Sequence, residues 1–225
     1  MLNPIEQFRE NIIRVDTLGE LHTTIGDAVP SEVDLTDLLR SQIVMIVSAL
    51  DLYIHEITRT GMLEVYNKKR PQTGAFLWFQ VPLESAMESI ELVMQSILDV
   101  NEDVRNKKEW LDDKWLDSEI RERHSYKSFQ NPDDIADAIR LFSSCKLWQD
   151  VAEQLNLDVQ NVKSRLIAIF KRRNQIVHEA DLVPTYPGTT TRWPISPADV
   201  SDTLDFIQNV CEAIHMVSNQ NYSKL

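Results

Sequence analysis

The sequence predicts an all-α protein, and three observations support that prediction. Glycine is scarce, with 5 residues in a chain of 225, whereas a typical composition of about 7% glycine would give about 16. Apolar residues recur at helical spacing over long stretches, which favours helices over a turn-rich sheet protein. No repeat, low-complexity tract or linker interrupts the chain. We therefore expect a single helical domain over residues 1–225, with 43% hydrophobic residues to form its core.

The first two helices are expected at residues 4–26 and 35–68, on either side of a break around Pro30. Residues 35–68 give the strongest helical pattern in the chain. The segment 43–57 within it is apolar over more than half of its circumference, which is typical of a helix at the centre of a bundle. The first helix has its apolar positions at Ile5, Phe8, Ile12, Ile13 and Leu18.

The middle of the chain combines one irregular segment with two further helical patterns. Residues 70–81 contain a proline, a glycine and the aromatic segment 76–79. We interpret the aromatic segment as a loop that covers the core. The alternative is that it covers a base or a partner protein. Pro82 suits the first turn of a short helix that reaches about residue 99, and residues 102–123 form a charged helix.

The last part of the chain contains four helical patterns with clear start signals. Residues 131–143 begin with asparagine, proline and two aspartates, which suit the N-terminus of a helix. Residues 147–155 form a short helix, and residues 158–179 form a long one. Residues 182–193 contain prolines and a glycine and are expected to be a loop. A serine–proline pair then starts the final helix over residues 196–219.

The net charge of −12 limits the partners that we expect for this protein. An acidic chain argues against a broad nucleic-acid surface, which would need a basic face. A small basic site on an acidic body is still compatible with this charge. Five basic residues do cluster in one segment, although an ordinary solvated helix face would explain them too. They are Lys163, Arg165, Lys171, Arg172 and Arg173.

Signals for disulfides, metals and targeting are weak in this sequence. Cys145 and Cys211 are far apart and have no histidine nearby at metal-binding spacing. We therefore expect two buried thiols in a reducing cytoplasm, with no metal site and no other cofactor. Because the chain has no N-terminal signal and no apolar run of roughly 18 residues, we expect neither secretion nor a membrane span.

The segment 171–179 contains the most informative residues of the chain. Arg173 and His178 are the minimal pair of groups for cleaving RNA without a metal. An arginine binds phosphate charge as a planar fork, and a histidine transfers protons near neutral pH. Their spacing is common by chance, so the adjacent Asn174 and the surrounding sequence have to support the interpretation.

A helical projection of residues 158–179 separates Arg173 from His178. Five residues at about 100° each place the two side chains about 140° apart, whereas Asn174 and His178 are neighbours. Arg173 falls in the middle of an apolar stripe, and His178 falls on the other side together with Lys171. The stripe is expected to contain Val162, Leu166, Ile169, Ile176, Val177 and Ala180.

Two expectations follow from this separation. An arginine on an apolar stripe needs a partner, because an unpaired buried charge costs several kcal/mol. Candidate partners on the central helix are Asp51, His55 and Glu56, although a merely hydrated stripe would also explain them. One helix cannot easily direct Arg173 and His178 at a single phosphate. We therefore expect a site built from two copies of the helix across a dimer axis, while a surface histidine near a helix C-terminus is the plainer alternative.

The chain resembles the HEPN superfamily at these residues. Arg173-Asn174-x3-His178 matches the R-x4–6-H motif of that superfamily, including its preference for a polar residue directly after the arginine. The wider sequence resembles the RiboL-PSP-type HEPN domain of bacteria over residues 35–220. The segments that resemble it are 50–57, 124–132 with Ile135, Trp148, and 172–181.

This resemblance implies a HEPN-type helical bundle that forms a homodimer. It also implies a metal-independent endoribonuclease of a toxin–antitoxin or phage-defence system, with an antitoxin or a defence protein as a further partner. The ribose 2′-OH would attack the adjacent phosphate and leave a 2′,3′-cyclic phosphate. His178 would act as general base or acid, Arg173 would bind the phosphate, and Asn174 would position one of them. Lys171 and Arg172 would hold flanking phosphates of the RNA.

Two other functions stay open on the sequence alone. Some HEPN domains have lost catalysis and only bind partners, so the chain could be a silent adaptor. A helix-turn-helix DNA-binding protein is the second alternative, because Ala152-x3-Asn156-x5-Val162 has the spacing of that motif, and Lys163 and Arg165 follow it. The acidic start of its second helix argues against DNA binding.

Overall fold

The computed structural model describes residues 3–80, 87, 113–184 and 191–220. Eight helices and no strand occur within these ranges, which confirms the all-α prediction. The helices are α1 (Pro4–Ala28), α2 (Thr36–Tyr66), α3 (Gly74–Leu77), α4 (Lys114–Ser125), α5 (Pro132–Arg140), α6 (Leu147–Leu155), α7 (Val159–Glu179) and α8 (Pro197–Asn219). The helix expected over residues 82–99, apart from residue 87, and residues 102–112 of the next one lie outside the described residues.

The predicted helix boundaries agree with the structure where local signals define them. Side chains cap three helices at the expected positions: Asn131 accepts a hydrogen bond from the first turn of α5, Asp158 from that of α7, and Ser196 from that of α8. The expected irregular segment 70–81 contains the short helix α3. The end of α5 was predicted about three residues too late, at residue 143.

Helix α2 is the centre of the bundle, as its apolar pattern predicts. It packs against α1, α4, α5, α7 and α8, and four of its aliphatic side chains are fully buried: Ile46, Val47, Leu50 and Ile54. By length and composition α2 could cross a membrane, but 56% of its most apolar window is buried inside the bundle. Burial of that kind is typical of a core helix in a globular domain.

Two contacts fix α5 and the residues after it against the rest of the bundle. A Cβ atom at Gly61 would lie 2.3 Å from the ring of Phe142, so α2 needs a glycine at this close approach. The indole of Trp148 in α6 donates a hydrogen bond of 2.9 Å to the carbonyl oxygen of Pro132, at the start of α5. Trp148 is buried, which gives it a structural role.

Candidate active site

The buried face of α7 differs in part from the predicted apolar stripe. The side chains that face the core are Val162, Leu166, Ile169, Phe170 and Ile176. Val177 is instead 44% exposed, and Ala180 ends the helix in a left-handed conformation, so placing these two on the stripe was wrong. Phe170 and Val177 are seven residues apart and share nearly the same direction on the helix. A helical projection therefore cannot show that Phe170 is buried and Val177 exposed, because burial depends on the elements that pack beside each turn of the helix.

Arg173 is half-buried and has no carboxylate partner among the described residues. Its Nη1 donates a hydrogen bond of 3.0 Å to Oδ1 of Asn174. Its Nε is buried, and no acceptor lies within hydrogen-bonding distance in the described part of the chain. The positive charge of this guanidinium is not neutralised, because its hydrogen bond goes to a neutral amide, so its terminal nitrogens can bind an anion.

The candidate partners on α2 are engaged elsewhere. Asp51 accepts a hydrogen bond of 2.6 Å from the backbone N–H of Phe129. His55 lies 3.8 Å from the other oxygen of Asp51 and packs edge-on against the ring of Phe129. Glu56 pairs with Arg59 at 2.8 Å. These residues therefore connect α2 to the segments around α4 and α5, and the structure gives their carboxylates partners other than Arg173.

Arg172, the neighbour of Arg173, is the arginine that is paired inside the protein. Its two terminal nitrogens contact the two carboxylate oxygens of Asp181, with 2.9 Å between Nη2 and Oδ2. Asp181 is fully buried, and its Oδ2 also accepts a hydrogen bond of 2.6 Å from Nε of Arg40 in α2. We refer to Arg40, Arg172 and Asp181 as the Asp181 cluster. Because Arg172 belongs to this cluster, the phosphate contact expected of it would have to compete with a buried ion pair.

The Asp181 cluster fixes the end of α7. Ala180 and Asp181 both have positive φ angles, 50° and 58°, which cost roughly 1 kcal/mol or more for each non-glycine residue. The backbone of Asp181 offsets this strain by donating to the carbonyl oxygen of Gln175 at 3.0 Å and by accepting from the N–H of Trp193 at 2.9 Å. His178 lies three residues before Asp181, so its position depends on this fixed helix end.

The remaining candidate residues lie on the surface of α7. Lys171, Asn174 and His178 are exposed. Asn174 lies one helical turn before His178 and accepts a hydrogen bond from Arg173, so it is next to both proposed catalytic groups. Arg173 and His178 themselves point about 140° apart on the helix. A single copy of α7 therefore does not direct both side chains at one point.

Arg173 is an exception among the arginines of this protein. Within residues 3–80, 113–184 and 191–220, every arginine other than Arg14 and Arg173 forms an ion pair with an aspartate or a glutamate. Such pairing is expected in a chain with a net charge of −12, because carboxylates outnumber cations. An arginine that stays unpaired in this environment, and half-buried, is a good candidate for binding an anion.

The basic residues near the start of α7 do not form a free cationic surface. Nζ of Lys163 lies 2.6 Å from a carboxylate oxygen of Asp133, and Arg165 lies 2.6 Å from Asp202. A short turn connects α6 and α7, and Asn156 in it is left-handed, at φ 53°. Each of these cations lies beside a carboxylate, so this surface is not the broad basic face that duplex DNA requires.

Asp181 and its contact with Arg40 were not found by sequence reasoning. The only local signal for Asp181 is its place directly after the motif, and Arg40 lies 141 residues away. A metal centre is not visible either: in the part of the chain that the structure describes, no three His, Cys, Asp or Glu side chains are close enough to share a metal ion.

Comparison with known proteins gives one family match. The family described as RiboL-PSP-HEPN matches residues 9–217. The match therefore includes most of α1, which lies before the range of residues 35–220 in which the sequence resemblance was noticed. No curated protein and no solved structure shows a significant similarity to the chain.

Proposed function

The chain belongs to the RiboL-PSP-HEPN family, and we propose that it is a metal-independent endoribonuclease of a toxin–antitoxin or phage-defence system. The observation that supports this proposal most strongly is the unpaired guanidinium of Arg173. Its buried Nε has no acceptor among the described residues, and its one recorded hydrogen bond goes to a neutral amide. A phosphate that contacts the terminal nitrogens of Arg173 would supply the missing negative charge.

In the proposed reaction, the ribose 2′-OH attacks the adjacent phosphorus atom and the 5′-oxygen of the next nucleotide leaves. His178 accepts the proton of the 2′-OH as a general base, or donates a proton to the leaving oxygen as a general acid. Arg173 stabilises the charge that develops on the phosphate oxygens. Asn174 holds the guanidinium of Arg173 through its side-chain oxygen. The products are a 2′,3′-cyclic phosphate and a free 5′-OH.

The site is proposed to form between two copies of the chain. Arg173 and His178 lie about 140° apart on α7, whereas two α7 helices that face each other across a two-fold axis can bring the arginine of one to the histidine of the other. Lys171 is exposed and would hold a flanking phosphate. Arg172 would contribute indirectly, by fixing the end of α7.

The decisive experiment compares single variants of the proposed catalytic residues with matched controls. Wild type, Arg173→Ala and His178→Ala are expressed in bacteria, and growth and RNA ends are measured. We expect growth arrest and new cyclic-phosphate ends with wild type only. Arg14→Ala and His22→Ala, on α1, serve as controls and should behave as wild type. Purified wild type should keep cleaving RNA in the presence of EDTA.

Two results would contradict the proposal. If wild type and both variants leave RNA ends unchanged while all of them are folded, the chain is a silent HEPN adaptor. If the control variants lose cleavage together with Arg173→Ala and His178→Ala, the loss reflects general damage rather than the proposed residues.

A further inference from the structure

The proposed reaction does not use a cavity that lies next to the end of α7. It is open to solvent, has a volume of about 570 Å³, and is lined by Asp34, Thr36, Arg40, Arg192, Trp193 and Ile195, among others. We propose that this cavity binds a base of the RNA strand, stacked on Trp193, close to the phosphate that is cleaved. The inference rests on the proposed ribonuclease function and adds a determinant of sequence preference.

The cavity and the proposed catalytic histidine are connected through the Asp181 cluster. Arg40 lines the cavity and donates to Asp181 at 2.6 Å. The N–H of Trp193 donates to the carbonyl oxygen of Asp181 at 2.9 Å. Asp181 follows His178 by three residues, so the Cα atoms of the two residues lie at most about 11 Å apart. The cavity therefore lies within reach of a nucleotide next to the one that His178 would contact.

Trp193 is suited to serve as a stacking surface. Its backbone is held at both ends, because the N–H donates to Asp181 and the carbonyl oxygen accepts a hydrogen bond of 2.8 Å from Nη2 of Arg40. The residue is 37% exposed and lines the cavity, while its backbone is fixed. Stacking of a base on a rigid aromatic side chain needs little ordering on binding, and every base has a face that can stack.

The polar groups of the cavity fit the edge and the phosphate of a nucleotide. Oδ1 of Asp34 accepts hydrogen bonds from the N–H and hydroxyl of Thr36, and these bonds lower the pKa of the Asp34 carboxyl. Its Oδ2 has no partner among the described residues and can accept from the N–H groups of a base. Guanine is the best match, because its Watson–Crick edge carries two adjacent donors.

Arg192 supplies the positive charge that a phosphate of the bound nucleotide requires. Its guanidinium pairs with Asp37 at 3.0 Å, and both side chains are well exposed, at 42% and 64%. An exposed ion pair of this kind contributes little stability. Exchanging Asp37 for an RNA phosphate therefore costs little, and Arg192 can contact the backbone of a strand whose base lies on Trp193.

The test measures binding and cleavage separately. Binding of labelled pentaribonucleotides UUXUU, with each of the four bases at X, is measured by fluorescence anisotropy in the His178→Ala background, where no cleavage interferes. We expect the tightest binding with guanine at X. Trp193→Ala should weaken that binding about tenfold or more, and Trp193→Phe should restore most of it. Asp34→Ala should reduce the preference for guanine.

Tyr126→Ala is the matched control, because Tyr126 is an aromatic residue that is 92% exposed and does not line the cavity. It should bind every pentaribonucleotide as the parent protein does. Thermal unfolding of each variant verifies that it is folded. In wild-type background, Trp193→Ala should change which nucleotide is found next to the cleaved bond, and Tyr126→Ala should leave that distribution unchanged.

Three outcomes would overturn the inference. One is unchanged pentaribonucleotide binding in Trp193→Ala, and another is a cleavage pattern in that variant equal to that of wild type. The third is binding of guanosine monophosphate as tight as that of UUGUU, which would indicate a site for a free nucleotide instead of a strand. If wild type fails to cleave RNA, the proposed function is contradicted, while the binding measurements still decide the inference.

Discussion

At the scale of single residues, Asp181 has the largest structural effect per side chain in the region of the proposed site. It is fully buried, and it balances the charges of two arginines from different helices. Its backbone is left-handed, with φ at 58°. Removing the carboxylate would leave Arg172 without an ion-pair partner and Arg40 with only Asp37, at 3.4 Å, and a buried charge without a partner is expensive.

We therefore expect Asp181→Ala to lower the free energy of unfolding by about 3–5 kcal/mol. Urea denaturation followed by circular dichroism measures this change. Asp202→Ala is the matched control, because Asp202 also pairs with an arginine of α7 but its side chain is 72% exposed. That control should cost at most about 1 kcal/mol, and equal effects of the two substitutions would contradict the role assigned to Asp181.

At the scale of helices, the packing of α2 against the residues after α5 depends on one glycine. A side chain at position 61 would overlap the ring of Phe142, which is itself buried. Phe142 also packs under the guanidinium of Arg70, whose Cζ lies 5.1 Å from the ring centre. The ring therefore cannot move away without disturbing a second contact. The distance between α2 and Phe142 is thus set by the absence of a side chain at position 61.

Gly61→Ala should destabilise the protein by about 1–3 kcal/mol, because the added methyl group overfills the interface. Gly26→Ala in α1 is the control: its new methyl group would come no closer than 3.9 Å to Leu35. There the better helix propensity of alanine should raise stability by up to about 1 kcal/mol. Thermal unfolding measures both changes, and stabilisation by Gly61→Ala would show that the close approach is absent in solution.

At the scale of the whole molecule, we propose that the site is formed by two chains. The acidic protein neutralises almost every described arginine with its own carboxylates, and it leaves Arg173 unpaired on the helix that also presents His178. These two side chains diverge on one helix, so their cooperation depends on a second copy. A composite site makes a specific prediction about mixtures of inactive variants.

Mixing Arg173→Ala with His178→Ala should restore cleavage, although each variant alone is inactive. In a mixed dimer, the intact arginine of one chain faces the intact histidine of the other, so one of its two sites is complete. Random exchange makes half of the dimers mixed, and about a quarter of wild-type activity should return. RNA cleavage is measured after exchange, with differently tagged chains to verify that mixed dimers form.

The control for this experiment mixes Arg173→Ala with the double variant Arg173→Ala/His178→Ala, which leaves no arginine at any site and should stay inactive. An inactive first mixture, in the presence of verified mixed dimers, would contradict the composite site. It would leave a site within one chain as the remaining arrangement.

Most of the fold could be predicted from the sequence, because its signals are local. Helix starts at residues 131, 158 and 196 follow from side chains that cap the adjacent backbone, within three residues of themselves. The central position of α2 follows from an apolar surface too wide for a helix with a solvent face. The pattern Arg173, Asn174 and His178 also identified the candidate site, and the family match agrees with the superfamily that it suggested.

The partners of the candidate residues depended on the tertiary structure. Sequence reasoning assigned the need for a buried partner to Arg173, whereas the structure pairs Arg172 with Asp181 and leaves Arg173 with Asn174. It also could not separate Phe170 from Val177, since the two share one direction on α7. The sequence by itself thus determined the described helices other than α3, their order and the residue types available on α7. Only the tertiary structure decided which arginine is neutralised, because that depends on contacts such as Arg40 with Asp181, which are 141 residues apart in the chain.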